Sequence, residues 1–293
     1  MMRTVHCLVH GFVLLALLLL AGCGAAGAPV GHTDGGQSVV IKGSDTMVNL
    51  ALAWAEAYMA AYPDVSISVS GGGSGTGLAA MINGTIDIAN ASREAKGEEF
   101  TAAQTNGISL TEYVVAYDAI AVVVHPSNPI GGLTLPQISD IYRGIITNWQ
   151  EVGGEDRPIV LLSRESNSGT YVYFLENIVR LGEKVDWLFS PEALLMPSSE
   201  GISAEIRQNP NAIGYDGLGY VTPDQKMLAV ASETGAAYVL PSAATVKDGS
   251  YPIARNLYMY TAGRPTGLIA AYVEWILGDG QDLVVPLGFV PLR

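Results

Sequence analysis

Basic residues are scarce in this chain. Its 293 residues include 15 Lys and Arg against 28 Asp and Glu, a formal net charge of −13. No cluster of Lys or Arg stands out, which argues against nucleic acid as a partner, because a nucleic-acid binder shows a basic patch. The acidic excess is diffuse and serves solubility. Any anion the chain binds must therefore be held by local groups against the overall field. Histidine is equally rare. Of His6, His10, His32 and His125, only His125 lies beyond the N-terminal segment, and before Pro126 it reads as a loop residue. A Ser-His-Asp triad would need it, and a zinc site would need more than it. Enzyme chemistry is thus poorly supplied. What is abundant is apolar surface and glycine: 49% of residues are hydrophobic, 15% are charged and 34 are glycine. That composition reads as a globular chain rich in tight turns, long enough for one large or two medium domains.

Long apolar runs are missing as well. The stretch from Gly11 to Ala21 is too short and too near the end to favour a membrane-spanning helix, and it reads as a signal peptide over residues 1–22. Its end, Leu20-Ala21-Gly22-Cys23, looks like the lipobox of bacterial lipoproteins; the alternative is an ordinary secretory signal with a chance cysteine. Cleavage before Cys23 removes Cys7, the other of the two cysteines. The mature chain then has no internal disulfide and no cysteine metal cluster. Lipid on Cys23 would hold the domain at the cell membrane, outside the cytoplasm. Residues 23–37, rich in Gly and Ala without apolar periodicity, read as a flexible tether.

Beyond the tether the pattern alternates. "SVVIKG" reads as a buried strand, "SDTMVNLALAWAEAYMAAYP" as a helix ending before Pro63, "VSISVS" as a strand, "GGGSGTGLAAMING" as a glycine-rich turn into a short helix, and "TIDIANAS" as a third strand. A β-α-β-α-β order argues an open α/β sheet. The run Val114–Val124, with Asp118 inside it, is long for one strand and suits a crossing between two domains, as does Tyr251–Tyr260. "NAIGYDGLGYV" is glycine-spaced and apolar, and the C-terminus reads as a helix followed by a strand or loop.

Three segments share one design. "GSDT" at Gly43–Thr46, "GGGSGTG" at Gly71–Gly77 and "RESNSGT" at Arg164–Thr170 each follow a predicted strand and open a predicted helix. The first turn of a helix leaves backbone N–H groups unpaired and carries positive dipole character, so such an end suits an oxyanion. Taken singly, each reads as simple Ser/Thr capping, with Ser44 or Asp45 as the first cap. "GGGSGTG" is not a P-loop, because Leu78 stands where lysine is required. It is not a nucleophile elbow, because Thr76 replaces the second glycine. It is no dinucleotide fingerprint either, since Asp87 lies too near and on a strand. Arg164 tips the reading toward a ligand, because an arginine beside a serine-rich helix mouth can fork onto an oxyanion. Arg93 is either a second cation or the partner of Glu94 or Glu98.

At these residues the chain resembles the phosphate-binding lipoproteins of bacterial phosphate-specific ABC transporters. The resemblance rests on "GSDTM", "GGGSGTGLAAMINGTIDIANASR", "RESNSGT" and "YPIARNLYMYTAGRPTG" and covers the mature chain from about Val39. It implies an α/β, two-lobed type II periplasmic-binding-protein fold, each lobe a mixed sheet flanked by helices and joined by two hinge strands. Lobe I would span residues 38–117 and 256–293, and lobe II residues 118–255. It implies a monomer that binds inorganic phosphate, needs no cofactor or metal, and partners ABC permease subunits. Carried onto matching positions, the phosphate ligands are Ser44, Asp45 and Thr46; Ser74 with Gly75 as a backbone donor; Ser92 and Arg93; and Arg164, Ser168, Gly169 and Thr170.

One departure matters. Some members carry aspartate at the end of the third strand, where this chain has "NASR", so the carboxylate that accepts the phosphate proton must come from elsewhere. Asp45 is expected to supply it, ahead of Asp87, with simple N-capping as the other reading of Asp45. Facing sulfate, which has no proton, a buried carboxylate would meet only lone pairs. Other oxyanions (molybdate, sulfate, a phosphonate), a surface hydrolase, and an adhesin or signalling role on the same scaffold are the competing readings.

Overall fold

A computed structural model describes residues 37–293. The signal peptide, Cys23 and all but the last residue of the tether lie outside the described residues. Among these, β1 (Gln37–Gly43), α1 (Val48–Ala61), β2 (Val65–Ser70), α2 (Ser74–Ile82) and β3 (Ile88–Ala91) form the alternating run read from the sequence. Then follow α3 (Gly97–Thr105), β4 (Leu110–Val124), β5 (Gly132–Thr134), α4 (Leu135–Tyr142), β6 (Val160–Arg164), α5 (Gly169–Phe174) and β7 (Leu194–Met196). The chain continues through α6 (Ser199–Gln208), β8 (Ala212–Gly217), β9 (Lys226–Met227), β10 (Ala229–Ala231), α7 (Ala243–Lys247), β11 (Ala254–Ala262) and α8 (Gly267–Leu277). Past α8 the chain makes short 3-10 turns at Asp279–Leu283 and Val285–Leu287.

The main sheet has the order β2-β1-β3-β11-β4-β8-β6-β7, with β9 also paired to β4 and a separate β5–β10 ladder. β1 runs parallel to β2 and β3, so the ends of all three deliver their following loops to one edge. β4 is the element that spans the molecule. Its first part pairs antiparallel with β11 up to Ala119, and from Ile120 it pairs with β8 instead. Fifteen residues cover about 50 Å, which one strand of ordinary length does not. β11 is the second long segment, opposite β4 from Ala254 to Ala262 with an irregularity at Leu257/Tyr258.

Period-two alternation explains how both faces of the sheet are covered. Along β11, Leu257 and Met259 point into a core with Ile41, Leu50, Trp54 and Tyr272, while Tyr258 and Tyr260 point to the other face with Leu78 and Met81. Along β4, Ile120 and Val122 join a core with Tyr142, Trp149, Phe174 and Tyr215; Ala121 and Val123 face Leu162, Ile202 and Ile206. The first pair of cores takes side chains of β4 up to Ala116, and the second pair starts at Ala119. α1 buries Leu50, Ala51, Trp54, Ala55 and Tyr58, spaced three or four apart, and Trp54 Nε1 donates to the Gly280 carbonyl at 2.7 Å.

α3 and α6 have no counterpart in the sequence reading. α3 buries only Ala103 and so shows no apolar stripe. α6 starts at Ser198, whose Oγ accepts from Gly201 N, and buries Ile202 and Ile206 against β8; at Gly214 a Cβ would come within 2.9 Å of Ile202. Tyr215 of β8 stacks on Phe174 of α5 with centroids 3.8 Å apart, which fixes the helix that follows the arginine-bearing strand.

Candidate functional site

The three serine-rich segments meet at the inner ends of their strands. β1 ends at Gly43, Ser44 follows, and the 3-10 turn Asp45–Met47 leads into α1. β2 ends at Ser70, and Gly71–Gly73 turn the chain into α2, with Ser74 as its first residue. β3 ends just before Ser92, and β6 ends in Arg164, five residues before α5. Ser44, Thr46, Ser74, Ser92, Arg164, Ser168 and Thr170 are all buried. Seven polar side chains in one apolar molecule require partners, and most find them in one another.

Thr46 Oγ1 and Thr170 Oγ1 are 2.9 Å apart. Ser74 Oγ accepts the Ser92 N–H at 3.0 Å and lies 3.4 Å from Ser92 Oγ. Ser168 Oγ accepts from the N–H groups of Thr170 and Tyr171, so it caps α5 while its own proton is left to donate. Gly169 packs directly onto Ser74 and Ser92: a Cβ there would collide with Ser74 Oγ and stand 2.6 Å from Ser92 Oγ. The close approach explains a glycine at the first turn of a helix, where alanine would otherwise be better. Ser44 Oγ is buried without a hydrogen-bond partner among the described residues.

Arg164 is held from several sides. Its Nε donates to Met196 O at 3.3 Å, Nη1 to Ser199 Oγ at 3.0 Å, and Nη2 to Pro197 O at 3.1 Å and Asp45 Oδ2 at 2.9 Å. Asp45 is therefore a bridge and not a helix cap. Its other oxygen accepts the Gly72 N–H at 2.8 Å, and its side chain keeps 18% of its exposure. Gly75, expected as a backbone donor to the ligand, gives its N–H to Asn167 O at 3.0 Å. Asn167 Nδ2 in turn donates to Gly72 O at 3.0 Å.

Arg93 takes neither of its expected carboxylate partners. Its guanidinium forks onto Glu99 at 2.7 and 2.8 Å, and only the backbone carbonyl of Glu94 accepts from it. Glu99 lies at the mouth of α3, and without that helix its carboxylate could not be placed. Burial pushes the Glu99 carboxyl up, but the hydrogen bonds and charge of Arg93 win and hold it below its ordinary value. Asp87 precedes β3 and accepts the Val40 N–H at 2.8 Å, well away from the hydroxyls.

The structure gives partners to three charged groups to which the sequence reading assigned no role, Asp118, Arg255 and Asp216. Asp118 and Arg255 face each other across β4 and β11 and form a buried ion pair, Nη2–Oδ2 2.8 Å and Nε–Oδ2 3.1 Å. Arg255 Nη1 donates to Ser92 O at 3.1 Å, and Nη2 reaches Thr46 Oγ1 at 3.4 Å. Burial pushes the Asp118 carboxyl above its ordinary value, with Arg255 pulling the other way. Asp216 lies under Arg164: its Oδ1 accepts from Ser199 Oγ at 2.7 Å and Gly217 N at 2.8 Å. Burial raises the Asp216 carboxyl to about 7, against the charge of Arg164 and the Ser199 hydrogen bond. A signal for these groups was present: each is a charged residue inside an apolar, strand-like run, and a charge placed there needs a partner.

Hydroxyl donors around a fixed guanidinium, between two sheet halves joined by a spanning strand, define a solute-binding protein with the type II periplasmic-binding-protein fold. The chain belongs to the PBP superfamily, whose domain profile matches residues 28–280. The Phosphate-binding protein PstS of Pseudomonas aeruginosa is 36% identical over 268 residues, 85% of this chain and 81% of that protein. The Bacillus subtilis protein of the same name is 31% identical over 286 residues, 94% of this chain and 90% of that one. Among solved structures, a phosphate ABC transporter substrate-binding protein from Clostridium perfringens, with bound phosphate, is 34% identical. It superposes with a TM-score of 0.78 over 88% of this chain and 100% of that one.

Proposed function

We propose that the chain is an extracytoplasmic solute-binding lipoprotein that captures inorganic phosphate between two lobes and passes it to an ABC permease. The observation that carries this reading is the gathering of buried hydroxyls, Thr46 against Thr170 and Ser74 against Ser92 with Gly169 packed on both serines, beside an Asp45 that binds Arg164. Hydroxyls donate without adding charge, and one arginine, held in place by Met196, Pro197, Ser199 and Asp45, supplies a fixed positive charge. A tetrahedral oxyanion offers the many lone pairs such a set requires. The relatives named for phosphate binding support the same ligand.

In this reading lobe I is residues 38–117 with 256–293, and lobe II is residues 118–255. Thr46, Ser74 and Ser92 hold the anion from lobe I. Arg164, Ser168, Thr170 and the Gly169 backbone close on it from lobe II, and Ser44 adds its free hydroxyl. Asp45 keeps Arg164 oriented, Gly75 ties the lobes through Asn167, and Arg93 stiffens the loop that carries Ser92. Closure draws its energy from contacts made only when the lobes meet. Lipid on Cys23 keeps the monomer at the membrane, and the ligand leaves chemically unchanged.

The test is calorimetric titration of the domain from Ser38, stripped of ligand by unfolding and refolding, with phosphate, sulfate and molybdate at neutral pH. Tight binding of phosphate above the other two is expected, together with no turnover of a chromogenic phosphate ester. A stripped, refolded protein that ignores phosphate would sink the reading.

A further inference from the structure

We infer that Ser199 and Asp216 form a buried positioning relay behind Arg164, and that the charge on Asp216 sets how much of the guanidinium's pull is left for an anion. The inference rests on the phosphate-binding reading above and deepens it. Neither residue of the relay touches the ligand; both act through Arg164.

The donors of Arg164 show where the relay acts. A guanidinium carries five N–H donors. Nε donates to Met196 O, Nη2 donates to Pro197 O and Asp45 Oδ2, and Nη1 donates to Ser199 Oγ. Among the described residues the second N–H of Nη1 has no acceptor. Ser199 therefore grips the nitrogen whose other N–H is left for a ligand. The guanidinium is planar and turns as one body, so this grip aims that donor.

The direction of the relay follows from its protons. Ser199 Oγ lies 3.0 Å from Arg164 Nη1 and gives its own proton to Asp216 Oδ1 at 2.7 Å. A hydroxyl has one proton, so its commitment to Asp216 turns a lone pair toward Arg164. Asp216 is fixed in β8 opposite Ala121 of β4, and the Gly217 N–H reaches the same Oδ1 at 2.8 Å. Asp216 Oδ2 is buried without a hydrogen-bond partner among the described residues. That oxygen can gain or lose a proton while Oδ1 keeps both of its bonds.

The charge of Asp216 is felt because water is excluded. Arg164 and Asp216 are each 1% exposed, so little solvent screens them from one another. Burial raises the Asp216 carboxyl to about 7; Arg164 and the Ser199 hydrogen bond pull it down, and Asp118 pushes it up. Charged neighbours come from each packed element. Arg164 stands on β6, Asp118 on β4 is bound to Arg255 of β11, and Glu200 follows Ser199 in α6. Tyr220, past β8, is pushed up by burial and then by Glu200, Asp216 and Asp45. Ionised Asp216 gives Arg164 a second carboxylate besides Asp45 and offsets its pull on an anion. Protonated Asp216 leaves Asp45 alone in that role. A bound anion therefore favours the protonated form, and by linkage affinity falls as pH rises through the range where Asp216 ionises.

The experiment is calorimetric titration with phosphate of wild type, Asp216→Asn and Ser199→Ala from about pH 5.5 to about pH 8.5, with folding checked by circular dichroism. Phosphate's own ionisation is common to all three proteins, so it cancels in their affinity ratios. Asp216→Asn is expected to match wild type within about twofold at the acid end and to bind about 3- to 30-fold tighter at the alkaline end. A purely structural role would instead weaken binding equally at every pH. Ser199→Ala is expected to bind about tenfold more weakly at the acid end, because Nη1 loses its acceptor. Its profile should also part from that of wild type, since Asp216 loses a hydrogen bond that favours ionisation and stays protonated to higher pH. A folded Asp216→Asn whose profile runs parallel to wild type overturns the inference. If Asp216→Asn does not fold, a Ser199→Ala profile parallel to wild type overturns it, and a displaced one supports it. No phosphate binding by the wild type at any pH overturns the underlying function as well, whereas tight wild-type binding with parallel profiles overturns the relay alone.

Discussion

Gly169→Ala is the sharpest probe of how the two lobes meet. Gly169 opens α5 and lies against Ser74 and Ser92, from the segments that follow β2 and β3, and a methyl group there overlaps Ser74 Oγ. Those two serines are themselves buried and hydrogen-bonded, so they have little room to move aside. Forcing one extra methyl into a packed contact costs about 1–3 kcal/mol. The same displacement strains the long-range hydrogen bonds Thr46–Thr170, Asp45–Arg164, Gly75–Asn167 and Asn167–Gly72. At about 1.4 kcal/mol per tenfold, phosphate affinity is expected to fall about 5- to 150-fold. The ligand-free fold should not suffer, because alanine is better than glycine in a helix by roughly 1 kcal/mol. The assay is calorimetric titration with phosphate, paired with thermal melting of the stripped protein. Wild-type affinity in Gly169→Ala would refute this geometry of closure, and a melting point lowered without ligand would place the strain in the fold instead.

Three further outcomes are expected. Arg164→Lys replaces a fork held at Met196, Pro197, Ser199 and Asp45 by a single ammonium, and phosphate affinity measured by titration should drop about 30- to 1,000-fold. Asp216, raised to about 7 by burial, favours the fold when protonated; its contribution is full below the unfolded carboxylate range and is lost as pH rises toward 7. Asp216→Asn should remove that slope, at most about 4 kcal/mol, so that melting curves of variant and wild type diverge between pH 4 and 7 with the variant less sensitive. Cys23→Ser should move the protein from the membrane to the soluble fraction in cell fractionation, and unchanged membrane retention would remove the lipid anchor.

The order of elements was legible because periodicity is local. β1, α1, β2, α2 and β3 each write their own spacing into the chain, and glycine and proline mark where they stop. The hydroxyl donors were legible for the same reason: Ser44, Thr46, Ser74, Ser168 and Thr170 sit at helix starts, and a helix start is a feature of neighbouring residues. α3 was missed because it buries one alanine and shows no stripe. What each charge does was not legible. Arg93 turned to Glu99 because α3 presents that carboxylate, and Asp45 became a bridge because Gly72 and Arg164 come from distant segments. Asp118 and Arg255 are 137 positions apart and meet only because β4 and β11 pair in that register. Sequence determines which groups can donate, accept or carry charge. Tertiary structure decides which of them are deprived of water, and it is loss of water that makes a charge selective.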